Sequence, residues 1–149
     1  MRHESGHYFF RIVVNGSDLD AARELFGDDR IDYAEALRRH YADGGNLSWQ
    51  RDFISSYASA HPYEDWAETW AHYLHICAVI ETATTQGLLG ELDEESWPAD
   101  FVAFTVRLNE VSRSLGLPDA YPFLLNARVV EKLNFVRRMV NNYAASNPR

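Results

Sequence analysis

Apolar residues recur along this chain at three- and four-residue intervals and nowhere alternate convincingly with period two, so the pattern predicts helices and little or no sheet. The first helix is expected from about Arg2 to Val14, stopped by Asn15-Gly16 in a left-handed turn. Ser17 is placed to cap a short second helix through Leu19, Ala22, Leu25 and Phe26, closed by Gly27. A third, from about Arg30 to Ala42, carries Tyr33, Leu37 and Tyr41 on one stripe and ends at Gly44-Gly45. Residues 44–60 show no period, a longer loop than compact domains keep without a use for it. The fourth and longest helix has Pro62 in its first turn and continues to about Gln86, with Trp66, Trp70, Leu74, Cys77 and Val79 as its apolar positions. A fifth follows Pro98 and ends at Gly116, with Phe101, Phe104, Leu108 and Val111 spaced for burial. The turn "GLPDAYPF" leads to a sixth, capped by Asn126, whose inner face is Val129, Val130, Leu133, Val136, Val140 and Tyr143. The expected fold class is mainly α, about six helices in a single helical domain over 1–149.

Composition narrows the class of function. An apolar content of 46% with 13% aromatics is that of a folded chain rather than a disordered one. No apolar run approaches the roughly 18 residues that span a bilayer, and the first ten residues are charged rather than signal-like. The expectation is a soluble, cytoplasmic protein with no membrane partner. Fourteen basic against twenty-two acidic residues, a formal charge of -8, and no cluster of Lys or Arg argue against nucleic acid as a partner. Cys77 is the one cysteine, so any metal here has to be held by imidazole and carboxylate.

One stretch carries chemistry outright. His3-Glu4-Ser5-Gly6-His7 sets two histidines one helical turn apart on the same face, where both rings can meet one ion. Glu4, between them, projects toward the side where a bound water would sit and could take its proton. The pattern is short, and a catalytic zinc site needs a third protein ligand. Its strongest source is "HPYEDWAETWAHYLH", in which Glu64 and Glu68 share a face. One of these carboxylates could ligate zinc while the other accepts the outer N–H of a ligating imidazole. His61, just before Pro62, either contacts substrate or shapes the loop; His72 and His75 read as structural, and His40 as a surface residue. Trp66, Trp70, Phe101 and Phe104 read as core, and "RSLGLPDAYPF" as an architectural clasp between two helices.

His3-Glu4-x-x-His7 followed by Glu64-x-x-Ala67-Glu68 resembles the gluzincin type of zinc metallopeptidase, and within it the lethal-factor-like enzymes. More closely, "RHESGHYF", "RRHYADG", "SYASAHPYEDWAETWAHYLHI" and "RSLGLPDAYPF" together resemble the bacterial family named "putative zinc-binding metallopeptidase", over Arg2 to about Met139. The resemblance implies zincin-like catalytic helices followed by a C-terminal helical bundle. It implies Zn2+ held by His3, His7 and Glu64, with Glu68 steadying a ligand histidine. It also implies that Glu4 serves as general base for a zinc-bound water attacking a peptide bond, and that Tyr57 stabilises the oxyanion. The partner is then a peptide or protein substrate.

A second reading is a non-catalytic helical interaction module with a structural or vestigial metal site. Its support is that peptidases of this type pair the substrate backbone with a strand upstream of the first zinc helix, and one residue separates Met1 from His3. The expectation that reconciles both is a catalytic C-terminal portion of a longer peptidase whose N-terminal segment lies outside this sequence.

Overall fold

A computed structural model describes residues 1–42 and 44–148. Among them there are helices and no strand, which is the mainly α class expected from the apolar spacing. The α-helices are α1 (Arg2–Val13), α2 (Asp18–Phe26), α3 (Tyr33–Ala42), α4 (Pro62–Thr85), α5 (Trp97–Ser114) and α6 (Ala127–Ser146). Single 3-10 turns at Trp49–Arg51 and Tyr57–Ala60 interrupt the loop before α4. None of these helices is long and apolar enough to cross a membrane. The chain divides into two compact units, Met1–Leu74 with the chain from Asn126 onward, and His75–Leu125.

The first unit is organised around Trp66, which is fully buried on α4. Its ring meets Phe10 of α1 at 5.2 Å, Phe26 of α2 at 5.6 Å and Phe135 of α6 at 6.2 Å between centroids, each close to edge-on. That arrangement sets the positive edge of one ring against the negative face of another. One indole thus joins four helices. α1 can come this close to α4 because each presents a small residue at the crossing. A Cβ on Gly6 would sit 2.8 Å from the Cα of Ala67, and the Gly6 carbonyl accepts the Trp66 indole N–H at 2.9 Å. Ser5 Oγ accepts the Trp70 indole N–H at 3.0 Å on the same side of the crossing. At the far end of α2, the Gly27 N–H closes on the Arg23 carbonyl, and Arg128 of α6 donates to the next two carbonyls, those of Glu24 and Leu25.

Several local expectations need correcting. Ser17 makes no side-chain cap to α2. α3 buries no residue, so Tyr33, Leu37 and Tyr41 are not a core stripe; Tyr41 is exposed and Tyr33 has another use described below. α3 starts at Tyr33 rather than Arg30 because Asp32 caps it, its carboxylate accepting the Glu35 N–H at 2.7 Å. The sixth helix is capped by Asn126 as expected, the side chain accepting from Val129 N at 2.8 Å. Its inner face, however, is Val129, Lys132, Leu133, Phe135, Val136 and Met139, with Tyr143 exposed. Lys132 is buried because its ammonium, 2.6 Å from Asp65 and 2.6 Å from the Asp52 carbonyl, also lies over the Phe53 ring.

In the second unit the inner stripe of α5 is Trp97, Phe101, Thr105 and Asn109, not the purely apolar row of Phe104, Leu108 and Val111. The two polar members are satisfied: Thr105 Oγ donates to the Phe101 carbonyl, and Asn109 exchanges two hydrogen bonds with the Tyr121 backbone. The segment 113–123 is held as a clasp by those bonds, by the paired contacts of Arg113 with Asp119, and by Tyr121 edge-on to Phe101.

Candidate metal centre

The α1–α4 crossing at Gly6 and Ala67 decides what faces what. His3 and His7 lie one turn apart on the α1 face turned to α4, and Glu64 and Glu68 lie one turn apart on the facing side of α4. His3, His7 and Glu64 each offer one ligand atom within 4.8 Å of the others, and among the described residues this is the one such cluster of three His, Cys, Asp or Glu side chains. The two Nε2 atoms are 3.2 Å apart. Glu64 Oε2 is 3.0 Å from His3 Nε2, and Glu64 Oε1 is 3.6 Å from His7 Nε2. Ligands on a tetrahedral zinc at its usual bond lengths stand about 3.3 Å apart, so the spacing suits that ion.

Proton placement points the same way. His3 Nδ1 is 2.7 Å from Glu68 Oε1, and a carboxylate only accepts, so Nδ1 carries the proton and donates it. In the neutral ring, a proton on Nδ1 turns the Nε2 lone pair toward Glu64, 3.0 Å away. Glu64 itself is 1% exposed, and its Oε2 is buried without a hydrogen bond. Two acceptors facing each other in a buried place are unfavourable unless a cation lies between them. The orphaned oxygen and the donor set of two imidazoles and a carboxylate therefore fit zinc.

The long loop proves to have a use. Ser55 Oγ donates to Glu68 Oε2 at 2.6 Å, so the carboxylate that orients His3 is itself held. Tyr57 stands in the following 3-10 turn with its ring 5.9 Å from that of His3. Burial first, and then the charge of Glu64, pushes the Tyr57 hydroxyl above its ordinary pKa. Tyr33, at the start of α3, donates its hydroxyl to Glu64 Oε1 at 2.5 Å, and this bond to a carboxylate is the main reason its pKa is raised.

Glu4 is exposed in the first turn of α1, one residue on from His3. His61 is 2% exposed, and both ring nitrogens are engaged: Nδ1 accepts from Tyr63 N at 3.0 Å, and Nε2 donates to the Ile31 carbonyl at 3.3 Å. It caps α4 and ties down the segment before α3, which leaves neither nitrogen facing a substrate here. His72 is buried, His75 is exposed, and neither joins the cluster. Tyr33, Ser55 and Lys132 escaped the sequence reading. For Tyr33 a usable signal was Asp32-x-x-Glu35, a capping pattern that places Tyr33 at the first helical position instead of on an inner stripe. For Ser55 and Lys132 no local pattern exists, because their partners lie 13 and 67 residues away.

Residues 1–139 match the model of a family described as "Putative zinc-binding metallo-peptidase". Among curated proteins, uncharacterized proteins of Mycobacterium bovis and of two strains of Mycobacterium tuberculosis are each 44% identical over 156 residues, which cover 96% of this chain. The chain spans 46% of the length of those relatives. No solved structure matches it.

Proposed function

The chain belongs to this family of zinc-binding metallopeptidases, and on that footing we propose that it forms the zinc centre of a peptidase acting on a peptide or protein substrate. The observation that carries the reading is that His3, His7 and Glu64 each bring one ligand atom within 4.8 Å of the others, with Glu64 Oε2 buried and without a hydrogen bond. The chemistry zinc supplies when bound is Lewis acidity, which polarises a carbonyl and lowers the pKa of a water to about 7. His3, His7 and Glu64 hold the ion. Glu68 retains the Nδ1 proton of His3 and so keeps Nε2 available, and Ser55 fixes Glu68 in that role. Glu4, exposed one residue on from His3, takes the proton of the attacking water and delivers it to the leaving amine. Tyr57 keeps its hydroxyl proton at neutral pH and donates a hydrogen bond to the oxygen that gains charge as the peptide carbon becomes tetrahedral.

The test is cleavage of a peptide mixture by zinc-loaded wild type beside Glu4→Gln. The account expects cleavage by the wild type, loss of at least a hundredfold in the variant, and equal zinc content in both. Cleavage that survives Glu4→Gln would assign the activity to another group.

A further inference from the structure

We infer that Tyr33 is a positioning residue for the metal centre: by occupying Glu64 Oε1 it confines Glu64 to ligation through its other oxygen. The inference rests on the zinc reading above and adds to it a residue that the ligand motif does not contain.

The two oxygens of Glu64 are in different situations. Oε1 receives the Tyr33 hydroxyl at 2.5 Å and stands 3.6 Å from His7 Nε2. Oε2 is buried, has no hydrogen bond and stands 3.0 Å from His3 Nε2. A carboxylate can hold a cation through one oxygen or both, and each mode fills a different share of the coordination sphere. A catalytic zinc takes three protein ligands and keeps one position open for water or substrate. A Glu64 that used both oxygens would consume that position. The Tyr33 hydroxyl engages one oxygen and leaves the other for the ion.

Tyr33 is fixed well enough to do this. It is the first residue of α3, whose N-terminus is held by Asp32, and its ring packs against that of His61 at 5.0 Å between centroids. His61 is in turn pinned by the Tyr63 N–H and the Ile31 carbonyl. The aromatic ring is thereby braced by the residue that precedes α4 while the hydroxyl reaches Glu64. Tyr33 is 43% exposed, so loss of the hydroxyl alone leaves no cavity in the core.

The experiment uses Tyr33→Phe, which keeps the ring on His61 and removes the donor. Zinc affinity is measured by competition with a chromogenic chelator, and the visible absorption of the Co2+-loaded protein reports coordination geometry. The expected result is zinc binding ten- to a hundredfold weaker, weaker cobalt bands indicating an expanded coordination sphere, and a metal-free protein that stays folded with a melting point lowered by only a few degrees, about what one lost hydrogen bond costs. Zinc affinity and a cobalt spectrum both equal to wild type would overturn the inference. His3→Ala, run alongside, separates the two claims. If wild type binds zinc and His3→Ala does not, the metal centre stands whatever Tyr33→Phe does; a wild type that binds neither metal removes both.

Discussion

At the scale of single residues, the centre depends on proton bookkeeping that four side chains settle between them. Ser55 donates to Glu68, Glu68 accepts from His3 Nδ1, and His3 Nε2 is left as a lone pair beside the unpaired oxygen of Glu64. Removing the carboxylate at 68 frees the tautomer and the ring orientation of His3 together. Glu68→Ala is therefore expected to weaken zinc binding ten- to a hundredfold in a chelator competition, with the ligands themselves untouched. Equal affinity in the variant would show that Glu68 does not orient His3. The residues that could be read from sequence are those with short-range logic: a pair of histidines at i and i+4, a pair of glutamates at i and i+4, and Asn126 as a cap. Ser55 was invisible for the opposite reason, and for Tyr33 the Asp32-x-x-Glu35 cap marked the helix start but not the partner. Each meets its partner across the fold, and a hydroxyl on a loop or at a helix start carries no periodic signature.

At the scale of elements, the site is a product of how closely two helices approach. The small residues inside the two motifs, Gly6 between the histidines and Ala67 between the glutamates, are the contact between α1 and α4. Gly6→Ala would put a Cβ 2.8 Å from the Ala67 Cα, against backbone that cannot rotate aside. The variant is expected to lose about 1–3 kcal/mol of stability in denaturant unfolding and to bind zinc more weakly, because α1 must move off with His3 and His7. Full stability and affinity in Gly6→Ala would contradict the close crossing. Helix existence was legible from apolar spacing, whereas helix orientation was less so. α5 turned Thr105 and Asn109 inward and left Val111 exposed, because both polar side chains find backbone partners and so cost little to bury. α3 turned no residue into the core at all, since its first residue is committed to Glu64.

At the scale of the whole molecule, the metal centre is tied to the rest of its unit next door to its own ligand. Asp65, adjacent to Glu64, meets Lys132 of α6 at 2.6 Å, and the same ammonium binds the Asp52 carbonyl at the start of the segment that carries Ser55 and Tyr57. Both charges are buried, and burial pushes the Asp65 carboxyl up to about 7 against the pull of Lys132. A carboxyl raised in the folded state holds its proton there more tightly than in the unfolded chain. Its contribution to stability therefore declines as pH rises from about 4 through 7. Lys132→Met strands Asp65 and removes the cation that holds its carboxyl down; it is expected to cost about 3–5 kcal/mol, with the deficit growing as pH rises through 7 and above, where the wild-type carboxylate ionises and the stranded one does not. A deficit that is flat with pH would show that Asp65 is not the group left uncompensated. This buried lysine was the least legible feature of the sequence, because an apolar helix face gives no reason to admit a cation until its distant carboxylate is seen. The whole centre depends on His3, His7 and Glu64 holding zinc. Its most direct test is the zinc content of wild type purified without added metal, beside Glu64→Ala of the same chain. The account predicts about one zinc per wild-type chain and little or none in the variant; no zinc in the wild type, or equal zinc in both, would contradict it.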